Sequence, residues 1–258
     1  MNAFGLSLEA MQPALLILAL FVVLIAGFVR GYSGFGFALL AVPALTLVLP
    51  PAQVVPIMFL LDLALAAVLL PSAWGAINWR SLRWLLPAAL LTMPLGGYAL
   101  VAIPAVPMAL AVSVLVLVFA VLFWRGFALK RTPGPPLALG AGAASGLLGG
   151  AIAVSGPPVI LFYFSSPGTA AASRASLIFY FGALDLAGLA VVGWNGLITE
   201  VTLLWAAVLV LPLSLCVWLG KRHFFATDEA TFRKIVLALI FLTGGIGLIK
   251  SGWQLLGL

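Results

Sequence analysis

The chain contains very little charge. Of its 258 residues, 12 are Lys or Arg, 6 are Asp or Glu and one is His, so only 7% are charged, while 65% are hydrophobic. Soluble domains carry roughly 25% charged residues, which excludes a soluble globular domain. The scarcity of carboxylates and histidine also argues against an integral-membrane enzyme, because such an enzyme would need His, Asp, Glu or Cys side chains clustered at one membrane face.

Cysteine is almost absent. The single residue, Cys216, excludes an internal disulfide and a cysteine metal cluster. His223 adjoins two basic residues and fits an interfacial position better than a metal site. We therefore expect no metal and no cofactor. No basic segment precedes the first apolar run, which begins at Pro13, so we expect a first membrane span and not a cleaved signal sequence.

Long apolar runs fill the rest of the chain. Uncharged runs exceed the ~20 residues that cross a bilayer as a helix, whereas a β-barrel would show short alternating segments. The sequence therefore predicts an all-α polytopic membrane protein with about 8 to 10 transmembrane segments. The ten apolar segments are 13–30, 34–49, 54–71, 84–102, 107–124, 136–150, 157–166, 174–193, 200–219 and 232–249.

Two glycine-rich breaks interrupt these segments, one at 31–36 and one from Gly149 to Pro158. Glycine loosens a helix and proline removes an N–H group, so neither break continues as a long helix. Lipid cannot satisfy exposed backbone groups, and a break at membrane depth must be buried in protein or line a cavity. We expect broken or re-entrant helices near the bilayer midplane.

The breaks are related by an internal repeat. A shift of 122 residues sets Ser33 over Ser155 and brings Asp62 to within one residue of Asp185. We expect one membrane domain with a first repeat over 1–125, a cytoplasmic linker over 126–135 and a second repeat over 136–258.

The basic residues indicate that the repeats are inverted. Most of them lie in the loops 72–83, 125–135 and 220–234, which we expect to be cytoplasmic. The basic loop of one half corresponds to a charge-poor loop of the other. Membrane topology explains the net charge of +6 better than nucleic acid binding does. The loop residues are Arg80, Arg83, Arg125, Lys130, Arg131, Lys221, Arg222, Arg233 and Lys234.

Helix ends at the breaks are candidate anion sites. The N-terminus of a helix presents unpaired N–H groups and a positive dipole end. An alternative is that Gly and Ser only permit close helix packing. The residues that we expect to contact substrate are Ser33, Gly34 and Phe35 in the first break and Ser155, Gly156 and Pro157 in the second.

Four charged residues lie near or within the apolar segments. Arg30 and Arg174 adjoin the breaks and could hold an anion through a bidentate fork, or could extend to the membrane interface. Asp62 and Asp185 each cost about 2.5 to 3.5 kcal/mol inside a span. Each could carry a coupling proton, or could serve as a structural partner of an arginine.

Two segments resemble a known family. GFVRGYSGFGFALLAVPAL and GAASGLLGGAIAVSGPPVILFYF are similar to the paired signature segments of the sulfite exporter TauE/SafE family, and the resemblance covers about residues 15 to 250. It implies a secondary transporter or permease for sulfite, thiosulfate, sulfoacetate or similar anions, and it supports a binding role for Arg174. Many members carry three consecutive glycines near the first motif, where this chain has Gly34-Phe35-Gly36, so the particular substrate stays open.

The sequence thus predicts a transporter that moves a small sulfur-containing or organic anion across the cell inner membrane through a midplane site. The alternatives are an anion channel and, with less support, an integral-membrane enzyme. The expected partners are the anion and the lipid bilayer, without nucleic acid. A homodimer, the transport direction and the coupling ion stay open.

Overall fold

A computed structural model describes residues 12–126, 134–166, 169–223 and 229–256, without the side chains of Ser33, Phe164, Ala170 and 221–236. The predicted linker residues Lys130 and Arg131 lie outside these ranges. The helices are α1 (Pro13–Ser33), α2 (Phe37–Leu45), α3 (Pro51–Ala73), α4 (Trp79–Ala102), α5 (Ala105–Trp124), α6 (Pro135–Ile152), α7 (Gly156–Phe164), α8 (Ala170–Trp194), α9 (Glu200–His223) and α10 (Glu229–Leu256).

Eight of these helices are long and apolar enough to cross a membrane. The other two, α2 and α7, have nine residues each and directly follow the two glycine-rich segments. The described part of the chain contains no strand. The expectation of an all-α polytopic membrane protein is therefore confirmed. Large apolar side chains such as Leu91, Leu211 and Trp194 remain exposed on the outside of the bundle, where lipid would cover them.

Helices α4 and α6 pack with their backbones in close approach. A methyl group on Gly142 would overlap the carbonyl oxygen of Leu85, and one on Gly150 would overlap that of Met93. Both residue numbers increase together, so the two helices run parallel. Small residues permit such contact between membrane helices. Helix α6 therefore enters the bundle at the same end as α4. We call this end the basic end, because Arg80 and Arg83 lie there.

Helices α1 and α9 pack in the same manner. Gly27 lies against Leu213 and Gly31 lies against Val217, so these two helices are also parallel. Helix α8 begins at the basic end, where the Ser176 hydroxyl accepts a hydrogen bond from the N–H of Asn78, and after a short loop α9 runs back toward that end. Helix α1 therefore enters the bundle at the opposite end, which we call the far end.

Helices α3 and α8 cross the centre of the bundle in opposite directions. Gly182 packs against Ala66, and Gly188 packs against Phe59. Because one number rises as the other falls, the helices are antiparallel and Asp62 lies at about the same height as Asp185.

The second break forms a helical hairpin. Helix α6 ends at Ala153, which has a left-handed conformation with φ 55°. Ser155 then lies beside Gly149. At the other end of α7, the Tyr163 hydroxyl is 2.8 Å from the Ser81 hydroxyl, near the start of α4. The short helix therefore returns to the basic end, where α6 entered.

The first break forms the corresponding hairpin from the far end. Gly34 closes α1 with φ 81° and Gly36 precedes α2 with φ 94°, a conformation that favours glycine. Gly36 lies against Val29, so the chain has already turned back. Beyond α2, the carbonyl of Leu47 accepts a hydrogen bond from Lys250 near the C-terminal end of α10.

The helix starts do not give one offset between the two halves of the chain. Helix α6 starts 122 residues after α1, α7 starts 119 after α2, α8 starts 119 after α3 and α9 starts 121 after α4. The predicted shift of 122 therefore stays a prediction. At each of these offsets Asp62 falls within one helical turn of Asp185.

The close approach of α4 and α6 predicts that alanine substitution at two glycines of α6 will have very different effects on stability. Gly150→Ala should destabilise the protein by about 1 to 3 kcal/mol, because the added methyl overlaps backbone. Gly140→Ala is the control, since a methyl there meets nothing within 4 Å. Thermal unfolding in detergent measures both variants. Equal melting temperatures for the two would show that the helices are not in contact at Gly150.

Candidate functional site

The two hairpin tips enclose one small cavity at the centre of the bundle. Its volume is ≈ 20 Å³, about enough for one water molecule. The first turns of α2 and α7 form two of its sides, and α1, α3 and α8 contribute one residue each. The lining residues are Arg30, Gly36, Phe37, Ala38, Leu39, Asp62, Ala153, Val154, Ser155, Gly156, Pro157, Ile160 and Phe181.

Arg30 is the buried cation of this cavity, with 1% of its surface exposed. Its Nη2 is 3.0 Å from Oδ1 of Asp62, and its Nη1 donates to the carbonyl of Gly34 at 3.0 Å. The guanidinium also lies over the ring of Phe181, 4.9 Å from the centroid. Extension of Arg30 to the membrane interface is therefore excluded. The side chain joins the first break to α3 and α8.

The two intramembrane carboxylates have different surroundings. Asp62 forms the ion pair with Arg30, as expected for a structural partner. Asp185 is 5% exposed, and its Oδ2 has no hydrogen-bond partner within the described part of the chain. Asp62 and Arg30 are its charged neighbours. Asp185 therefore lies close to the Arg30–Asp62 pair, and Arg174 is near enough to Arg30 to interact with it as well.

Arg174 connects the second half of the chain to the first break. Its Nη2 donates to the carbonyl of Gly31 at 2.9 Å, and its aliphatic part lies against Gly34. Arg30 and Arg174 thus both bind backbone carbonyls of the first hairpin tip, Arg30 that of Gly34 and Arg174 that of Gly31. Arg174 does not line the cavity, which distinguishes it from Arg30.

A hydrogen bond within its own hairpin fixes the second break. The Ser145 hydroxyl donates to the carbonyl of Ser155 at 2.6 Å, and both residues are buried. Sequence reasoning missed Ser145, which sits among common small residues. It also missed Phe181, although the position of Phe181 one helical turn before Asp185 is a signal that could have found it.

The backbone donors differ from those predicted in the first break. The N–H of Gly34 donates to the carbonyl of Arg30 at 2.8 Å, so it closes α1 and is not available to a ligand. The first turn of α2 instead begins at Phe37 and includes Ala38 and Leu39, which line the cavity. The first N–H groups of a helix lack intrahelical partners.

In the second break Ser155, Gly156 and Pro157 line the cavity as a group. Proline supplies no N–H, so α7 offers fewer donors there than α2. Of the remaining predicted residues, Phe35 is half-buried outside the lining, and the side chain of Ser33 is outside the description.

Comparison with known proteins identifies the family. Residues 19–246 match the family described as sulfite exporter TauE/SafE. The chain belongs to the TauE/SafE family. It is also 26% identical over 231 residues to the probable sulfite/organosulfonate exporter TauE of Cupriavidus necator, covering 86% of this chain and 89% of that protein. No solved structure matches the chain significantly.

Membership of the TauE/SafE family establishes the coarse function. The chain is a multi-pass membrane transporter of the anion-exporter type and not an enzyme. The family match spans both glycine-rich breaks and every residue that lines the central cavity.

Removal of the buried guanidinium should be costly. In Arg30→Met, Asp62 and the Gly34 carbonyl lose their partner, and we expect a loss of about 3 to 5 kcal/mol in the free energy of unfolding. Arg30→Met combined with Asp62→Leu should recover most of this loss, because no unpaired charge remains from the pair. Chemical unfolding of the purified variants tests this. If the double variant were as unstable as the single one, the ion pair would not be the cause.

Proposed function

We propose that this protein is a secondary transporter that moves a small sulfur-containing anion across the cell inner membrane through the central cavity. Sulfite, thiosulfate and sulfonates such as sulfoacetate are the substrate class. One observation carries the proposal: the first turns of α2 and α7 and the guanidinium of Arg30 surround the same cavity. Helix N-termini and arginine both favour an anion. The name of the Cupriavidus necator relative supports the same class.

The proposed architecture is a pair of inverted repeats, each made of one hairpin and three long helices. The first hairpin enters from the far end and the second from the basic end, as their helix contacts indicate. In the first half α1 packs on α9, and in the second half α6 packs on α4, so the partners are exchanged between halves. Positive charge favours the cytoplasmic side, so we assign the basic end to the cytoplasm and the hairpin tips to the midplane.

The proposed mechanism is alternating access. A cavity of ≈ 20 Å³ is too small for a sulfite or sulfonate, so the anion enters only after the hairpin tips separate. The Arg30–Asp62 contact holds the first hairpin tip against α3 beside the cavity. An arriving anion replaces Asp62 as the partner of Arg30 and permits this separation. A site that must open and close around each anion is typical of a carrier.

Asp185 supplies the proposed coupling to protons. With both carboxyl groups ionised, Asp62 and Asp185 offset the charges of Arg30 and of the nearby Arg174, which leaves no net positive charge to hold an anion. A proton on Asp185 restores that positive charge, and its Oδ2 has no hydrogen bond within the described part of the chain that would hold the charged form. Anion binding at Arg30 is therefore linked to protonation of Asp185, whereas Asp62 is the partner of Arg30 while the cavity is closed.

Substrate selectivity tests the proposed function directly. Purified protein in liposomes should accumulate or release radiolabelled sulfite or thiosulfate with saturable kinetics, and taurine and acetate serve as competing ligands of different charge and head group. Binding should also raise the melting temperature, by RT ln(1 + [L]/Kd) in free energy. Flux that rises linearly with concentration would instead identify a channel. Absence of flux and of stabilisation with every sulfur anion would refute the assignment.

Proton coupling is tested at the two aspartates. Asp185→Asn should abolish stimulation of flux by an imposed pH gradient while it preserves exchange of anion at equal pH, because asparagine mimics the protonated acid. Asp62→Asn is the matched control, and there the response to pH should persist at a lower rate. A response to the pH gradient that is unchanged in Asp185→Asn would remove Asp185 from the coupling step.

A further inference from the structure

A second cavity lies at the far end of the bundle, outside the site described above. Its volume is ≈ 200 Å³, about ten times that of the central cavity. The segment after α2, the starts of α3 and α5 and the last turns of α10 enclose it. The lining residues are Thr46, Leu47, Val48, Leu49, Pro50, Pro51, Ala105, Val106, Ala109, Ser113, Gly247, Lys250, Ser251 and Gln254.

Lys250 is the only charged side chain among these lining residues. Its ammonium donates one hydrogen bond, to the carbonyl of Leu47. An ammonium has three donors, so two remain for a ligand. The side chain is exposed and can reach the cavity from the wall formed by α10. The cavity thus has a net positive lining at the end of the bundle that lacks the basic loops.

Neutral polar groups surround this cation. Thr46, Ser113, Ser251 and Gln254 belong to the lining, and Ser251 is nearly fully buried. The hydroxyls of Thr46 and Ser113 donate to the carbonyls of Pro43 and Ala109. Helices α3 and α5 begin at the cavity wall, at Pro51 and Ala105, and their N-terminal dipole ends add positive potential. The C-terminal ends of α2 and α10 bring carbonyl groups, which carry partial negative charge, and Lys250 donates to the carbonyl of Leu47, two residues beyond α2.

Helix α2 connects the two cavities. Its first turn, from Phe37 to Leu39, lines the central cavity, and the segment from Thr46 onward lines the second. Nine residues of α-helix measure roughly 14 Å at 1.5 Å per residue. A ligand held at Lys250 therefore lies one short helix away from Arg30, on the far side of the hairpin tip.

We propose that the cavity at Lys250 is a second anion site, a vestibule that holds the sulfite or sulfonate group before it enters, or after it leaves, the central site at the far end. This inference rests on the proposed transport of an anion. The ammonium of Lys250 binds the anionic head group, and the hydroxyl and amide side chains of Ser251 and Gln254 contact its oxygens. The larger volume admits a whole organosulfonate without any separation of the hairpins.

The first test measures transport kinetics separately for sulfite supplied at each end of the protein. In liposomes that carry the protein in one orientation, Lys250→Gln should raise the KM for sulfite supplied at the far end by about fivefold and leave the maximal rate within about twofold. The KM for sulfite supplied at the basic end should not change. Lys250→Arg should restore the KM. Arg125→Gln is the matched control, since it removes an exposed positive charge at the basic end.

Two results of the flux experiment would overturn the vestibule. One is a far-end KM in Lys250→Gln equal to that of the unaltered protein. The other is an equal rise in KM from both ends, because a local site acts only on its own side. Melting temperatures of Lys250→Gln and Lys250→Arg verify that both variants fold.

A labelling experiment separates the vestibule from the transport proposal. In a Cys216→Ser background, Gln254→Cys places a single thiol at an exposed position of the cavity wall. Reaction with the anionic 2-sulfonatoethyl methanethiosulfonate should be favoured over reaction with its trimethylammonium analogue, and the rate ratio should fall by about fivefold when Lys250→Gln is added. An unchanged ratio refutes the vestibule even if the protein transports sulfite. A falling ratio without any anion flux supports the vestibule and refutes the transport proposal.

Discussion

The buried guanidinium of Arg30 is the constraint on which the arrangement of the centre depends. A charge with 1% exposure inside an apolar bundle needs a counter-charge and hydrogen-bond acceptors nearby. Asp62 supplies the counter-charge, and the Gly34 carbonyl at the end of α1 accepts from Nη1, whereas Nε and Nη2 have no hydrogen-bond partner within the described part of the chain. The broken helix and the buried charge therefore stabilise each other. Neither would be tolerated alone inside the apolar bundle, because no bulk water is there to replace the missing partner.

Glycine contacts between the halves make this centre possible. Helices α1 and α4 approach α9 and α6 closely enough that an added methyl group would overlap the neighbouring backbone or side chain. Such contacts hold the two hairpins at fixed heights, so that their tips meet beside α3 and α8.

The sequence was most informative at positions where the residue type has a high free-energy cost in an apolar environment. Charge inside apolar segments singled out Arg30, Asp62 and Asp185, and the structure places all three around the centre. Glycine and proline located both breaks. The sequence was least informative about contacts that involve common small residues or backbone carbonyl groups. The repeat register could not be fixed from the sequence, because Ser-Gly pairs recur and because Ala153 takes a left-handed conformation that composition does not reveal. The contacts of Ser145 and Arg174 were not predictable, since hydrogen bonds to carbonyl groups depend on where a helix ends in space.

The prolines at the start of α7 have a consequence for the transport cycle. The hairpins enter from opposite ends and their short helices have the same length, yet the first turn of α2 keeps its backbone amides while that of α7 lacks two of them at Pro157 and Pro158. In the proposed transport cycle, an anion in the cavity would therefore bind mainly to the first turn of α2. Opening on one side would leave the anion on that turn, and opening on the other side would separate the anion from it. Under this proposal a nearly symmetric fold releases the anion faster on one side of the membrane than on the other.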